Sequence, residues 1–243
     1  MRSFHYLSIV FTLLFVLTLA GLKANAQELV TNGGFETEDF TGWTLEEITP
    51  SGDWFVYTGT VSPLISAPIL APPVGDFAAV TDQRRPDSNL LYQDIEIPAG
   101  ATVRCSAIVY YVNQEVGGVF IIGDGLTLDG PNQQYRVDIM DPDAPPFDTG
   151  AGVLLNLFQT LPGDPASLGY TNLNFDLSQF AGSTVRIRAA VVVTEDVLNG
   201  SIDAVSCIAT TRIPTLSEWG LLAMAGILGI VGFMVMRRRK VTA

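Results

Sequence analysis

An all-β sandwich is the fold predicted for the central part of this chain, with one apolar helix behind it. Two patterns carry the prediction. Apolar and polar residues alternate along many short stretches, which is the period of a half-buried strand and not of a helix. Gly, Pro, Asn and Asp break those stretches at close intervals, as turns between antiparallel strands require. Few segments between Gln27 and Arg212 have helical spacing.

Taken in order, Met1–Ala26 reads as a secretory signal peptide. Arg2 stands near the start, Leu7–Leu22 is apolar, and Ala24-Asn25-Ala26 supplies small residues before Gln27. A retained N-terminal anchor is the competing reading. Residues 27–212 then form one domain, long enough for a sandwich with its own core. In Thr102–Val112, Val103, Cys105, Ala107, Val109 and Tyr111 share one face, and Arg104 and Ser106 the other. Gln134–Met140 sets Tyr135, Val137 and Ile139 against Arg136 and Asp138. Thr184–Val193 points Val185, Ile187, Ala189, Val191 and Val193 inward, with Arg186 and Arg188 outward. The other expected strands are Trp43–Glu47, Trp54–Tyr57, Phe77–Thr81, Leu90–Ile97, Val119–Ile122, Val153–Gln159, Tyr170–Leu177 and Ser201–Ile208. Between them lie two long loops, Pro63–Gly75 and Asp141–Gly152, neither with the acidic spacing of a calcium loop. Asp141 and Asp143 therefore read as turn residues. Thr211–Pro214 is the expected linker to the C-terminal segment.

Charge and composition exclude several classes. Residues 27–212 hold 24 Asp and Glu against seven Arg and no Lys. Such a field repels nucleic acid. The single histidine, His5, lies in the signal peptide, so the mature domain lacks an imidazole for a Ser/His/Asp triad or a zinc site. Paired carboxylates remain as the chemistry open to an enzyme, but no catalytic motif is evident, and the expectation is a protein that is not an enzyme. Cys105 and Cys207, exported to an oxidising compartment, suit a disulfide, with two buried thiols as the alternative.

The C-terminus places three tasks side by side. Ile213-Pro214-Thr215-Leu216-Ser217-Glu218-Trp219-Gly220 opens on an extended Pro-containing segment. Trp219–Met236 carries no charge and, as a helix, is about 27 Å long, enough to cross a bilayer core. Arg237, Arg238, Arg239 and Lys240 follow and favour the cytoplasmic side. Ile213, Pro214, Thr215, Leu216, Trp219 and Gly220 match the IPTLxxWG signature. The segment 213–240 resembles the IPTL-CTERM sorting signal of Gram-negative bacteria, which is similar to the PEP-CTERM signal read by exosortases. The resemblance implies that the chain is a sorting enzyme's substrate. It implies export by the Sec machinery with signal peptidase, insertion in the inner membrane with the domain in the periplasm, and transfer to the outer surface or extracellular matrix.

A second resemblance lies in the domain itself. Glu28-Leu29-Val30-Thr31-Asn32-Gly33-Gly34-Phe35-Glu36 and Phe40-Thr41-Gly42-Trp43 look like the opening of jelly-roll carbohydrate-binding modules of families 4, 9 and 22, part of a galactose-binding-like group. Phe175–Gly182 with Thr184–Ile187, and Ile202–Ser206, fit the closing part. The resemblance implies a structural Ca²⁺ held by Glu36 and Asp203; no cofactor is otherwise required. The residues add that Asp203 shares parity with Val205 and Cys207, so on a buried face it needs a partner, either a cation or an arginine such as Arg188. Trp54 and Tyr57 are candidates for stacking on a glycan, with Tyr92, Tyr110 and Tyr170 behind them, though core packing is the favoured reading for each. The functional expectation is a structural or adhesive envelope component. The alternative is a surface-displayed module that binds extracellular polysaccharide.

Overall fold

The structure, a computed structural model, describes residues 24–84, 86–115, 117–212 and 218–240. Eleven strands are formed among them: β1 (Ala24–Glu28), β2 (Thr44–Glu47), β3 (Gly52–Tyr57), β4 (Ala78–Gln83), β5 (Asp87–Glu96), β6 (Thr102–Asn113), β7 (Gln133–Met140), β8 (Val153–Gln159), β9 (Ser167–Asp176), β10 (Thr184–Val193) and β11 (Leu198–Arg212). They build two sheets. The first has the order β3-β4-β11-β6-β9, with β1 also on β11, and the second the order β2-β5-β10-β7-β8. Neighbours along both paths pair antiparallel.

The expected alternation places the core between the sheets. Val103, Cys105, Ala107, Val109 and Tyr111 of β6 face Val185, Ile187, Ala189, Val191 and Val193 of β10 across it, together with Tyr135, Val137 and Ile139 of β7. Gly200 on β11 is required here, because a Cβ would come within 2.9 Å of the Tyr135 ring. That ring is wholly buried, and its hydroxyl donates to the Ser201 carbonyl at 2.8 Å.

Cys105 and Cys207 are directly opposed on β6 and β11 and form a disulfide, with Cα atoms 4.1 Å apart. That close spacing belongs to a non-hydrogen-bonded antiparallel pair. The backbone of Cys207 bonds to the other side: its carbonyl accepts from Leu29 N at 2.9 Å, and its N–H donates to Glu28 Oε1 at 2.8 Å.

Val119–Ile122 does not become a strand. It follows Gly117 and Gly118, both at positive φ, and the Val119 carbonyl is taken by Asn113 Nδ2 at 3.0 Å, leaving only an isolated bridge from Ile121 to Gln133. Ala24–Glu28 is a strand that alternation did not indicate. The signal-peptide reading falls mostly on residues 1–23, which lie outside the described residues. Asp141 does act as a turn residue, its Oδ1 accepting from Asp143 N at 2.9 Å.

The outer faces are not simply solvated. On the first sheet, Tyr57, Val80 and Tyr110 are covered by Ile69 and Leu70 of the loop before β4. On the second, Leu90, Ala190 and Val192 lie under Leu126, Leu128 and Phe147. Arg186 and Arg188, expected on a solvent face, do point outward from the core but are buried, Arg188 by the Pro146–Asp148 loop and Arg186 against Asp94 and Tyr92 of β5.

A helix, α1 (Glu218–Lys240), belongs to a unit separate from the sandwich. Its 23 residues extend about 35 Å.

Candidate functional site

Three places can carry function: a carboxylate pair at the β11 bulge, a polar hollow on the second sheet, and the C-terminal segment.

The carboxylate pair arises from an interruption in β11. Register slips between Asp203 and Ser206, with Ala204 at φ 49°. The Gly33 carbonyl accepts from Val205 N at 2.9 Å, and a Cβ on Gly33 would lie 1.8 Å from the Val205 carbonyl oxygen, so only glycine fits. The bulge also corrects the parity argument. Ile202, Val205 and Cys207 all face the core, which leaves Asp203 on the opposite face. It is buried there all the same, because the segment before β4 covers it: Val74 N donates to Asp203 Oδ2 at 3.2 Å. Glu36 reaches the same segment, accepting from Asp76 N at 3.1 Å and Phe77 N at 3.2 Å. Burial, aided by the nearby Glu36 charge, pushes the Asp203 carboxyl up to about 6, against the pull of hydrogen bonds from Ala204 N and Val74 N. Among the described residues neither carboxylate has an ion-pair partner. Arg188, the alternative partner for Asp203, bonds to Asp138. Both carboxylates reach the segment before β4, and both offer the hard oxygen donors that Ca²⁺ takes. No cluster of three acidic, His or Cys side chains that could hold a metal ion is present among the described residues.

The stacking candidates do not form a platform. Trp54 is in the core, its indole N–H donating to the Asn89 carbonyl at 3.3 Å. Tyr57 and Tyr110 are buried with their hydroxyls 2.7 Å apart and within 2.9 and 3.1 Å of the Leu70 carbonyl, so that one donates to the other and the other to that carbonyl. Tyr92 is half-buried beneath the Arg186 guanidinium, 4.1 Å from its ring centre. Tyr170 is exposed, with its hydroxyl on the Ala71 carbonyl at 2.7 Å. Trp43 is core, as expected, packed 5.4 Å from Phe35.

The hollow lies on the outer face of β7 and β8, with a volume of about 510 Å³. Gln134, Arg136, Asn156 and Gln159 floor it, and Ile122, Gly123, Thr149 and Gly150 wall it. Behind that floor is an ionic network that the sequence reading missed. Asp138, fully buried, accepts from Arg136 Nε at 2.6 Å and Nη2 at 2.8 Å, from Arg188 Nη2 at 2.5 Å and from Asn156 Nδ2 at 2.8 Å. Arg188 also donates to the Pro146 and Asp148 carbonyls. Its burial pulls its pKa below the ordinary guanidinium value, against the opposing effect of Asp138. The available signal was the register of β7 on β10, which sets Asp138 opposite Arg188, but alternation alone reads such residues as a solvated face.

At the C-terminus, the sorting-motif residues Ile213–Leu216 lie outside the described residues, while Glu218–Lys240 is helical. Arg237 is exposed. The side chains of Trp219, Leu221, Val235, Met236 and 238–240 are outside the description, and over the remaining residues alone no helix qualifies as long and apolar enough to cross a membrane.

Residues 213–239 match the IPTL-CTERM motif. That match agrees with the resemblance read from the octet, and it points to an exported cell-envelope protein. The sequence matches no curated protein. The structure is similar to the carbohydrate-binding module TmCBM61 solved with β-1,4-galactotriose, at 13% identity and a TM-score of 0.43, covering 77% of this chain and 99% of that one. It is also similar to the K3 cleaved adhesin domain of Lys-gingipain from Porphyromonas gingivalis, at 12% identity and a TM-score of 0.47, covering 76% and 99%. A Stig cyclase from Fischerella sp. TAU is similar at 18% identity and a TM-score of 0.43, covering 77% and 99%.

Proposed function

We propose that this protein is an exported envelope component whose C-terminal segment is read by an exosortase-type enzyme, and whose sandwich serves a structural or adhesive role outside the inner membrane. The IPTL-CTERM match at residues 213–239 carries this reading. It is supported by the uncharged run Trp219–Met236, which as a helix is long enough to span a bilayer core, and by the basic cluster Arg237–Lys240, which orients it. The domain would then face the periplasm before transfer. No histidine lies between residues 27 and 212, so the domain is taken to be non-catalytic. Mass spectrometry of the protein from its native host tests the sorting step. A C-terminus within residues 213–220 is expected; a chain ending at Ala243 in a host with the matching sorting enzyme would sink it.

A second reading, glycan binding, rests on the hollow over β7 and β8, where three amide side chains suit sugar hydroxyls. Glu36 and Asp203 are proposed to hold Ca²⁺, which would neutralise the buried Asp203 together with the exposed Glu36 and fix the segment before β4 to the β11 bulge. Thermal melts with Ca²⁺ and with EDTA test the ion, and equal midpoints would exclude it.

A further inference from the structure

Among the described residues Arg136 is the only charged side chain lining the hollow over β7 and β8, and it is only 5% exposed. Arg136 and Arg188 share one carboxylate, Asp138, whose two oxygens already accept four hydrogen bonds. The other nearby acid, Asp148, accepts from backbone N–H groups of its own loop, at 2.9 Å from Gly150 N and 2.7 Å from Gly152 N, and its charge bears on Arg188. Of the Arg136 guanidinium, Nε and Nη2 are engaged, and Nη1 has no partner among the described residues. Beside it runs a chain of amides, Gln159 Nε2 donating to Gln134 Oε1 at 3.2 Å and Gln134 Nε2 to Asn132 Oδ1 at 2.6 Å.

We propose that this hollow takes a carboxylate-bearing sugar, a uronate unit, with its carboxylate on Arg136 and its hydroxyls on the amides of Gln134, Asn156 and Gln159. The inference rests on the glycan-binding reading and names its substrate class. A guanidinium held rigid by a buried partner presents fixed donors to a planar carboxylate. One such group among neutral amides matches a sugar with a single charge and many hydroxyls. A nucleic acid or polyphosphate is disfavoured, because the 24 acidic residues of the domain repel dense negative charge. The same repulsion gives the site a signature. Screening falls from a range of about 30 Å at 0.01 M salt to about 10 Å at 0.1 M, which shields the distant acids more than the contact on Arg136. Uronate binding should therefore hold or strengthen as salt rises across that interval.

Calorimetry on the full chain in non-ionic detergent tests this, with an oligogalacturonate esterified at all but one unit, its full methyl ester and acetate as titrants. The acid is expected to bind at least about tenfold more tightly than the ester, and acetate far more weakly than either. Arg136→Gln, which leaves Asp138 with Arg188 and Asn156, should bring acid and ester within about twofold of each other, while Gln159→Ala should weaken both alike. If Arg136→Gln fails to fold, the acid-against-ester comparison on the unsubstituted protein decides alone. Equal binding of acid and ester would overturn the carboxylate inference and leave the glycan reading standing. Acetate binding as tightly as the oligomer would overturn the sugar part. No binding of any oligomer would remove both readings.

Discussion

Asp138, wholly buried, joins two guanidinium groups, so it holds more than its own side chain in place. Removing one partner of a buried ionic network leaves charge uncompensated and costs about 3–5 kcal/mol. Asp138→Ala is expected to lose stability on that scale in chemical denaturation, and a loss under about 1 kcal/mol would show that water reaches the arginines. Asp203 gives a pH dependence of definite sign. Its carboxyl is raised to about 6 from an ordinary 3.8, so the metal-free folded chain binds this proton more tightly than the unfolded chain. The stability it contributes is present at low pH and is lost as pH rises from about 4 through about 6. Melts in EDTA should show that decline, and Asp203→Asn should flatten it. Ca²⁺ should restore the midpoint at pH 7 in the unsubstituted protein only. The identity of both carboxylates was legible in the opening and closing motifs. The face that Asp203 occupies was not, because counting residues by twos fails where Ala204 adds one to the strand.

Strands announce themselves by what they bury on one side, and β6, β7 and β10 were readable for that reason. Covers are harder. The loop Pro63–Gly75 reads as a Pro- and Ala-rich connection, yet Ile69 and Leu70 close over Tyr57 and Tyr110 and turn two candidate glycan platforms into interior packing. Trp54 gave no local sign of which way it points, since its strand is short and its neighbours Phe55 and Val56 are also apolar. The β6–β11 pairing is the element whose strength is most directly measurable. Its bridge closes a separation of 102 residues, which on the chain-entropy account is worth about 4–5 kcal/mol. Replacing both Cys105 and Cys207 by Ala should lower the melting midpoint while leaving the far-ultraviolet circular dichroism of the sandwich unchanged at low temperature. An unchanged midpoint would mean that the reduced chain is already constrained before it folds.

For the molecule as a whole, the destination was legible and the partner was not. A sorting motif is a short linear code that survives in sequence, whereas the hollow over β7 and β8 is assembled from two strands and two loops and has no linear trace. The join between domain and code is tighter than expected. Thr211 and Arg212, read as linker, are the last residues of β11, and the motif begins at the next position. Once the protein is held through that end, any drag on the domain arrives at Arg212 and runs backward along β11. Only Ile208–Arg212 can be peeled from the sheet before the pull meets the covalent bridge at Cys207 and passes into β6. The disulfide then acts as a mechanical stop five residues from the point of attachment, and a reducing environment would convert a domain that holds under tension into one that unzips.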